Sequence, residues 1–162
     1  MYDPLKDRRP SKLMRRDLHE PFDAAVWPDG VQLQSFTAEH AAAVHNLLAT
    51  AYLDGGGSVD AFPVWWSSLT NDAEFDPKLV FVARDSGFRI VGVAQCWTSA
   101  FIKDLAVQPD CRRRGVGRAL LLHAFEVFKN RGARTLSLKV KADNPSGAVR
   151  MYRSVGMHPI SE

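Results

Sequence analysis

Cysteine is scarce in this chain: Cys96 and Cys111 are the only two in 162 residues. Two thiols make no disulfide framework. A reducing compartment, the cytoplasm, is the simplest setting. Cys96 lies in an apolar stretch and reads as a small core residue; Cys111 borders a basic loop and reads as more exposed. No apolar run approaches the roughly 20 residues that cross a bilayer, and the charged N-terminus lacks an apolar signal segment. No membrane partner is expected. No Cys/His spacing reads as zinc, and His40 and His45 have no metal-partner pattern, so no metal is expected. No Ser/His/Asp set can be assembled from spacing. Internal repeats and low-complexity segments are also missing. What the chain does have is apolar content, 46% of its residues, enough for one core in a single domain.

The formal net charge is +3, and the positive excess is concentrated in residues 6–16 and 112–118. In the first cluster Lys6, Arg8, Arg9, Lys12, Arg15 and Arg16 alternate with Asp7 and Asp17, and Pro4, Pro10, Pro21 and Pro28 break any long helix. Residues 1–30 therefore read as an N-terminal basic arm, solvated or loosely packed. Phe22, Val26 and Trp27 suggest that its latter part packs back. The segment lacks the fold and aromatic interleaving of a nucleic-acid binder. Residues 31–162 read as the main domain.

Hydrophobic periodicity places the elements. Val31 to Phe36 alternates as a strand. A helix follows a Thr37 cap, with Ala41, Val44, Leu47, Leu48 and Ala51 at helical spacing. A weaker helix carries Val64, Trp65, Trp66 and Leu69. Leu79–Ala83 and Ile90–Trp97 form a hairpin about Asp85-Ser86-Gly87, and Phe101 to Val107 is the next strand. A long helix runs from Val116 to Asn130 and stops at Gly132; His123 is expected on its exposed face. Leu136 to Val140 is a strand, about Ser146 to Ser154 a short helix, and Met157 to Ile160 a last strand. This order is α/β (α+β) with a mixed sheet.

The second basic cluster carries the chemistry. Arg112-Arg113-Arg114-Gly115-Val116-Gly117-Arg118 connects the Phe101 strand to the long helix. The first N–H groups of a helix lack intrahelical partners, and the macrodipole adds positive character there. Glycines admit close approach of the backbone. A di- or triphosphate is the ligand class such a turn suits. Arg118-Ala119 after Gly117 excludes a Walker A loop, and Leu120 stands where a dinucleotide fingerprint needs its third glycine. What remains is Arg112-x-x-Gly115-x-Gly117 after Leu-Ala-Val-Gln-Pro. It resembles the pyrophosphate signature of the GNAT superfamily of acetyl-CoA-dependent N-acetyltransferases. Asn144-Pro145-Ser146-Gly147-Ala148-Val149-Arg150-Met151-Tyr152, with Gly156-Met157 beyond, resembles the later motif of the same family. The resemblance spans about Val31 to Ile160.

The resemblance implies a mixed, mostly antiparallel sheet flanked by helices and splayed at an acetyl-CoA slot. It implies that backbone N–H groups of Arg113, Arg114, Gly115, Val116, Gly117 and Arg118, in the turn begun by Arg112, bind the pyrophosphate. The main chain of Leu105, Ala106 and Val107 would hold the pantetheine arm, joined by Asn144 and by Ala148 and Tyr152 of the short helix. Tyr152 would be the general acid at the departing sulfur; free tyrosine, with a pKa of about 10, keeps its proton at neutral pH. Asp104, three residues before Val107, is the candidate base, directly or through water. Asp54, Asp60 or Glu74 would line the acceptor side, and Tyr52, Trp65 and Trp66 would form an aromatic wall. The acceptor would be a primary amine of a small molecule or a peptide. A non-catalytic acyl-CoA-binding module and an acetyltransferase acting on aminoacyl-tRNA are the competing readings.

The chain stops short of the final strand that family members usually place beside the preceding one. An open sheet edge is normally covered. The N-terminal thirty residues wrapping back, or a second subunit in a homodimer, would fill the gap.

Overall fold

The computed structural model describes residues 11–55, 58–141 and 147–160. Its elements run β1 (Ser11–Asp17), β2 (Gln32–Ser35), α1 (Ala41–Gly55), α2 (Phe62–Thr70), β3 (Phe75–Arg84), β4 (Ile90–Trp97), β5 (Phe101–Val107), α3 (Val116–Asn130), β6 (Thr135–Lys141), α4 (Ala148–Ser154) and β7 (His158–Ile160). The strands form one sheet in the order β2-β3-β4-β5-β6-β1-β7. Every recorded pairing is antiparallel except β5 with β6, so the sheet is mixed and mostly antiparallel, as expected. None of the described helices is long and apolar enough to cross a membrane.

Two apolar clusters sandwich the sheet. One is built on α3, whose Val116, Leu120, Leu121, Ala124, Phe125 and Phe128 are buried with Met14, Leu136, Leu138 and Tyr152. The other lies under α1 and α2, where Val44, Leu47, Leu48, Trp65 and Leu69 pack on Val80, Val82, Val93 and Ala106. The alternation along β4 and β5 sends residues to these two faces in turn. Gly132, at φ 89°, closes α3, and the Ala133 N–H bonds back to the Phe128 carbonyl at 3.0 Å.

The N-terminal residues are not a loosely packed arm from Ser11 onward. β1 pairs with β6 along its whole length and with β7 through Leu13 to Arg15, so it lies between them. Met14 and Leu18 are fully buried. The N-terminal segment thus supplies a strand of the sheet from within the chain. Beyond β1 the segment wraps α3: Phe22 meets Phe125 edge-on at 5.6 Å, and Trp27 packs against His123 at 6.4 Å. His123 is therefore half-buried rather than exposed. It also meets Phe81 edge-on at 4.8 Å, and burial lowers its pKa.

Arg16 is 5% exposed, and its charge is met by backbone oxygens. Nε donates to the Val155 carbonyl at 2.9 Å, Nη1 to the Asp17 carbonyl at 2.6 Å and Nη2 to the Pro21 carbonyl at 2.9 Å. The guanidinium also lies 5.6 Å and 5.8 Å from the Phe22 and Phe125 ring centres. Val155 follows the end of α4, so Arg16 ties β1 to the helix that carries Tyr152.

Candidate active site

β5 is where the sheet divides. It pairs with β6 only at Phe101–Ser137 and Ile102–Leu138. On its other side β4 stays in register down to Gly92–Val107, with one irregularity: Gln95 faces Asp104 and Cys96 faces Ile102, leaving Lys103 as the extra residue. From the bulge onward, Asp104 to Val107 diverge from β6. The slot was expected beside Leu105, Ala106 and Val107, which make no ladder pairs with β6.

Beyond β5 the chain makes a short 3₁₀ turn (Pro109–Cys111), where Cys111 is half-buried, and then enters α3 through Arg113 and Gly115, both at positive φ (64° and 94°). Ala119 N–H to Gly115 O, at 3.0 Å, is the first bond of the helix. The N–H groups of Val116, Gly117 and Arg118 lie ahead of that ladder. A Cβ on Gly117 would come within 3.0 Å of Met151 Sδ and 3.6 Å of Val107 Cγ2. A residue this small lets the first turn of α3 sit close between α4 and the end of β5. Arg118 pairs with Asp23 of the wrapping segment at 3.6 Å, and Arg113 and Arg114 are exposed. Ala148 opens α4, and Asn144 lies outside the described residues.

The polar centre gathers on the α1/α2 face. Asp104 is 7% exposed. Its Oδ1 accepts a hydrogen bond from the Tyr52 hydroxyl, and its Oδ2 accepts one from Lys103 Nζ at 3.1 Å. Burial pushes the Tyr52 pKa well above the ordinary phenol range. The Asp104 charge, the hydrogen bond to it and, least, the Tyr152 phenol push the same way. Tyr52 is thus a permanent donor. Tyr152, on α4, is 7% exposed, and burial pushes its pKa up to about 12. Its hydroxyl makes no recorded hydrogen bond to a described residue. Tyr152 belongs to the apolar cluster on the opposite face of the sheet, and its phenol is near enough to Tyr52 to add to that group's shift.

A cavity of about 330 Å³ opens over this centre, lined among others by Tyr52, Asp60, Trp65, Asp72, Trp97 and Asp104. Tyr52, Trp65 and Asp60 are where the aromatic and acidic wall was expected. Trp66 is not: it packs against Phe36, Phe62 and Phe75. Glu74 instead accepts the Ser99 N–H at 3.1 Å, and the Asp54 side chain lies outside the described residues. The expectation missed Asp72, Trp97 and Lys103, which the turn after α2, β4 and the bulge bring together from distant segments. His45, on α1, donates to the Asp60 carbonyl at 2.7 Å, the carbonyl fixing that ring nitrogen as the protonated one, and so pins the cavity rim. Among the described residues no group of three or more His, Cys, Asp or Glu is placed to hold a metal.

A split mixed sheet, a glycine-opened helix end beside the split, and a buried carboxylate bonded to a phenol on the strand that splits define an acyl-CoA-dependent acyltransferase fold. The acetyltransferase (GNAT) family model matches residues 41–157. The chain belongs to that family of acetyl-CoA-dependent N-acetyltransferases. It is 34% identical over 122 residues to the ribosomal protein bS18-alanine N-acetyltransferase of Salmonella typhimurium, covering 70% of this chain and 79% of that protein. It is 33% identical over 131 residues to the mycothiol acetyltransferase of Clavibacter sepedonicus, covering 78% of this chain but 42% of that protein. The crystal structure of a GCN5-related N-acetyltransferase from Sphaerobacter thermophilus superposes with a TM-score of 0.79 at 29% identity, covering 94% of this chain and 49% of that one. This chain thus spans about half or less of the latter two relatives.

Proposed function

We propose that this chain transfers the acetyl group of acetyl-CoA to the α-amine of a peptide or protein N-terminus, by direct attack in a ternary complex. The observation that carries the reading is the buried Tyr52–Asp104 hydrogen bond under the cavity, on the strand that parts from β6. Similarity to the bS18-alanine N-acetyltransferases supports the peptide acceptor.

Acetyl-CoA, when bound, supplies the thioester. The N–H groups at the start of α3 and the diverging main chain of Leu105 to Val107 hold its pyrophosphate and pantetheine. An ammonium has no lone pair, so the acceptor must lose a proton before it attacks. Asp104 takes that proton, and Tyr52 and Lys103 hold its two oxygens in place. Tyr152 gives its proton to the departing sulfur. The aromatic wall of Trp65 and Trp97 packs the acceptor's apolar parts, while Asp60 and Asp72 favour a cation at the mouth.

The test is radiolabelled acetyl transfer to an alanine-led peptide, the same peptide with a blocked α-amine, and a panel of small primary amines including amino sugars. Label on the free peptide alone supports the proposal. Label only on amino sugars would move the acceptor to the small-molecule class of the mycothiol acetyltransferases. Tight acetyl-CoA binding without any transfer would leave a binding module.

A further inference from the structure

Gln95 is 1% exposed, and its Oε1 is a fully buried acceptor without a hydrogen-bond partner among the described residues. Buried polar groups are nearly always paired, and an exception calls for an explanation. One hydrogen bond assigns the amide orientation: Nε2 donates to the Cys96 carbonyl at 3.2 Å, and a carbonyl can only accept. The unpaired atom is therefore the oxygen.

Its neighbour gives the explanation. The bulge at Lys103 sets Gln95 directly opposite Asp104 in the β4–β5 ladder. Gln95 is two residues from Val93, and Asp104 two from Ala106, both in the α1/α2 cluster. The two side chains thus stand side by side on the cavity face, with Cβ atoms about 5 Å apart. A carboxylate and an amide oxygen in that arrangement both present lone pairs. Once Asp104 carries a proton, its O–H has an acceptor waiting, and Gln95 is satisfied for the first time.

We propose that Gln95 is a positioning residue that holds the proton Asp104 takes from the acceptor ammonium. The inference rests on the reading of Asp104 as the base. In the step, an N–H bond of the ammonium breaks and its electron pair stays on nitrogen for attack. An O–H bond forms on Asp104 and donates to Gln95 Oε1, and the proton later leaves to solvent. The other groups around Asp104 are the Tyr52 hydroxyl from α1, with the Tyr152 phenol of α4 beyond it, the Lys103 ammonium from the bulge, the Cys96 thiol from β4, and Asp60 and Asp72 at the cavity rim. Tyr52 and Lys103 favour the charged carboxylate; Gln95 supplies the opposing preference that makes proton uptake reversible.

The experiment compares pH profiles of kcat/KM for the whole chain with Gln95→Leu, Gln95→Glu and Asp104→Asn. Gln95→Leu removes the acceptor, so the acid limb moves to lower pH by about one unit and the plateau falls severalfold. Gln95→Glu places a second carboxylate beside Asp104, and the limb moves the opposite way. Opposite shifts from two substitutions at one position cannot come from loosened packing. The melting temperature of Gln95→Leu stays near wild type, because losing an orphaned acceptor offsets losing the bond to Cys96. Gln95→Met replaces Leu if that variant does not fold. Unchanged limbs in the Gln95 variants, with turnover lost in Asp104→Asn, would overturn the role of Gln95 and leave Asp104 standing. Full turnover in Asp104→Asn would overturn both.

Discussion

The Tyr52 hydroxyl on α1 donates to Oδ1 of Asp104 on β5, while Lys103 takes Oδ2 at 3.1 Å. The two donors differ in kind. Lys103 is 40% exposed at its side chain and reaches the carboxylate on a long flexible stem, whereas Tyr52 is held in a helix that packs on β4 and β5. Tyr52 therefore fixes the direction of the carboxylate. Tyr52→Phe removes a hydrogen bond to a charged group, of the order of 2 kcal/mol. The expected result in steady-state kinetics is a kcat lower by roughly 30-fold, with the KM for acetyl-CoA unchanged.

Tyr152 is expected to behave differently. Its pKa of about 12 keeps the phenol protonated through neutral and moderately alkaline pH. A rate profile governed by this acid should not fall on the alkaline side before about pH 11. Tyr152→Phe should lower kcat by roughly 10²- to 10⁴-fold while acetyl-CoA still binds. A Tyr152→Phe enzyme with wild-type kcat would remove the phenol from the chemistry.

The same burial has a cost at high pH. Tyr52, Tyr152 and Cys96 all have raised pKa values in the fold, with burial the leading cause. Each binds its proton more tightly folded than unfolded. Their contribution to stability is complete below the unfolded values, near 8.5 for the thiol and 10 for the phenols, and drains away as pH rises above them. For Tyr152 the window runs from 10.0 to about 12. Melting temperatures from pH 7 to 11 should decline from about pH 9, and Tyr152→Phe should decline less steeply than wild type.

Which parts of this were legible in the sequence follows from how local each signal is. α3 was readable to its end residues because a glycine turn opens it, Gly132 stops it, and its apolar spacing is unbroken. β1 was not. Its inward positions are Lys12, Met14 and Arg16, and a buried arginine hides the alternation that marks a strand. The carbonyls of Asp17, Pro21 and Val155, two of them outside the strand, together with Glu20 beyond it, make that burial tolerable. The clamp and Tyr152 stood in local motifs. The Tyr52–Asp104 bond joins residues 52 apart, and the Gln95–Asp104 pair depends on a one-residue bulge. Spacing alone specifies neither.

Arg16 links the hidden strand to the end of the helix that carries Tyr152. Arg16→Met keeps the length of the side chain but strands its carbonyl partners, at a cost of roughly 3 kcal/mol. For a chain of this size that lowers the melting temperature by about 10 °C. Because the Val155 carbonyl is one of those partners, the end of α4 loosens, and turnover should fall by more than acetyl-CoA affinity does. Thermal melts and paired kcat and KM measurements check both. Loss of stability with unchanged kcat would confine Arg16 to the fold.

The clamp gives the sharpest test of the slot, because its parts depend on contact distances. Thermal-shift titration with acetyl-CoA, dephospho-CoA, pantetheine and ATP separates pyrophosphate from pantetheine recognition. Acetyl-CoA at about 100 times its Kd should add about 2.7 kcal/mol of apparent stability. ATP and pantetheine, each carrying half the recognition, should add far less at equal concentration. Gly117→Val brings a branched side chain against Met151 Sδ, which already lies 3.0 Å from the position of a single Cβ, and against Val107 Cγ2 at 3.6 Å. It wedges the first turn of α3 away from both α4 and β5, and the acetyl-CoA shift should disappear. Gly117→Ala meets only the flexible end of Met151 and should keep most of it. Equal shifts for wild type and Gly117→Val would place the pyrophosphate somewhere other than the start of α3.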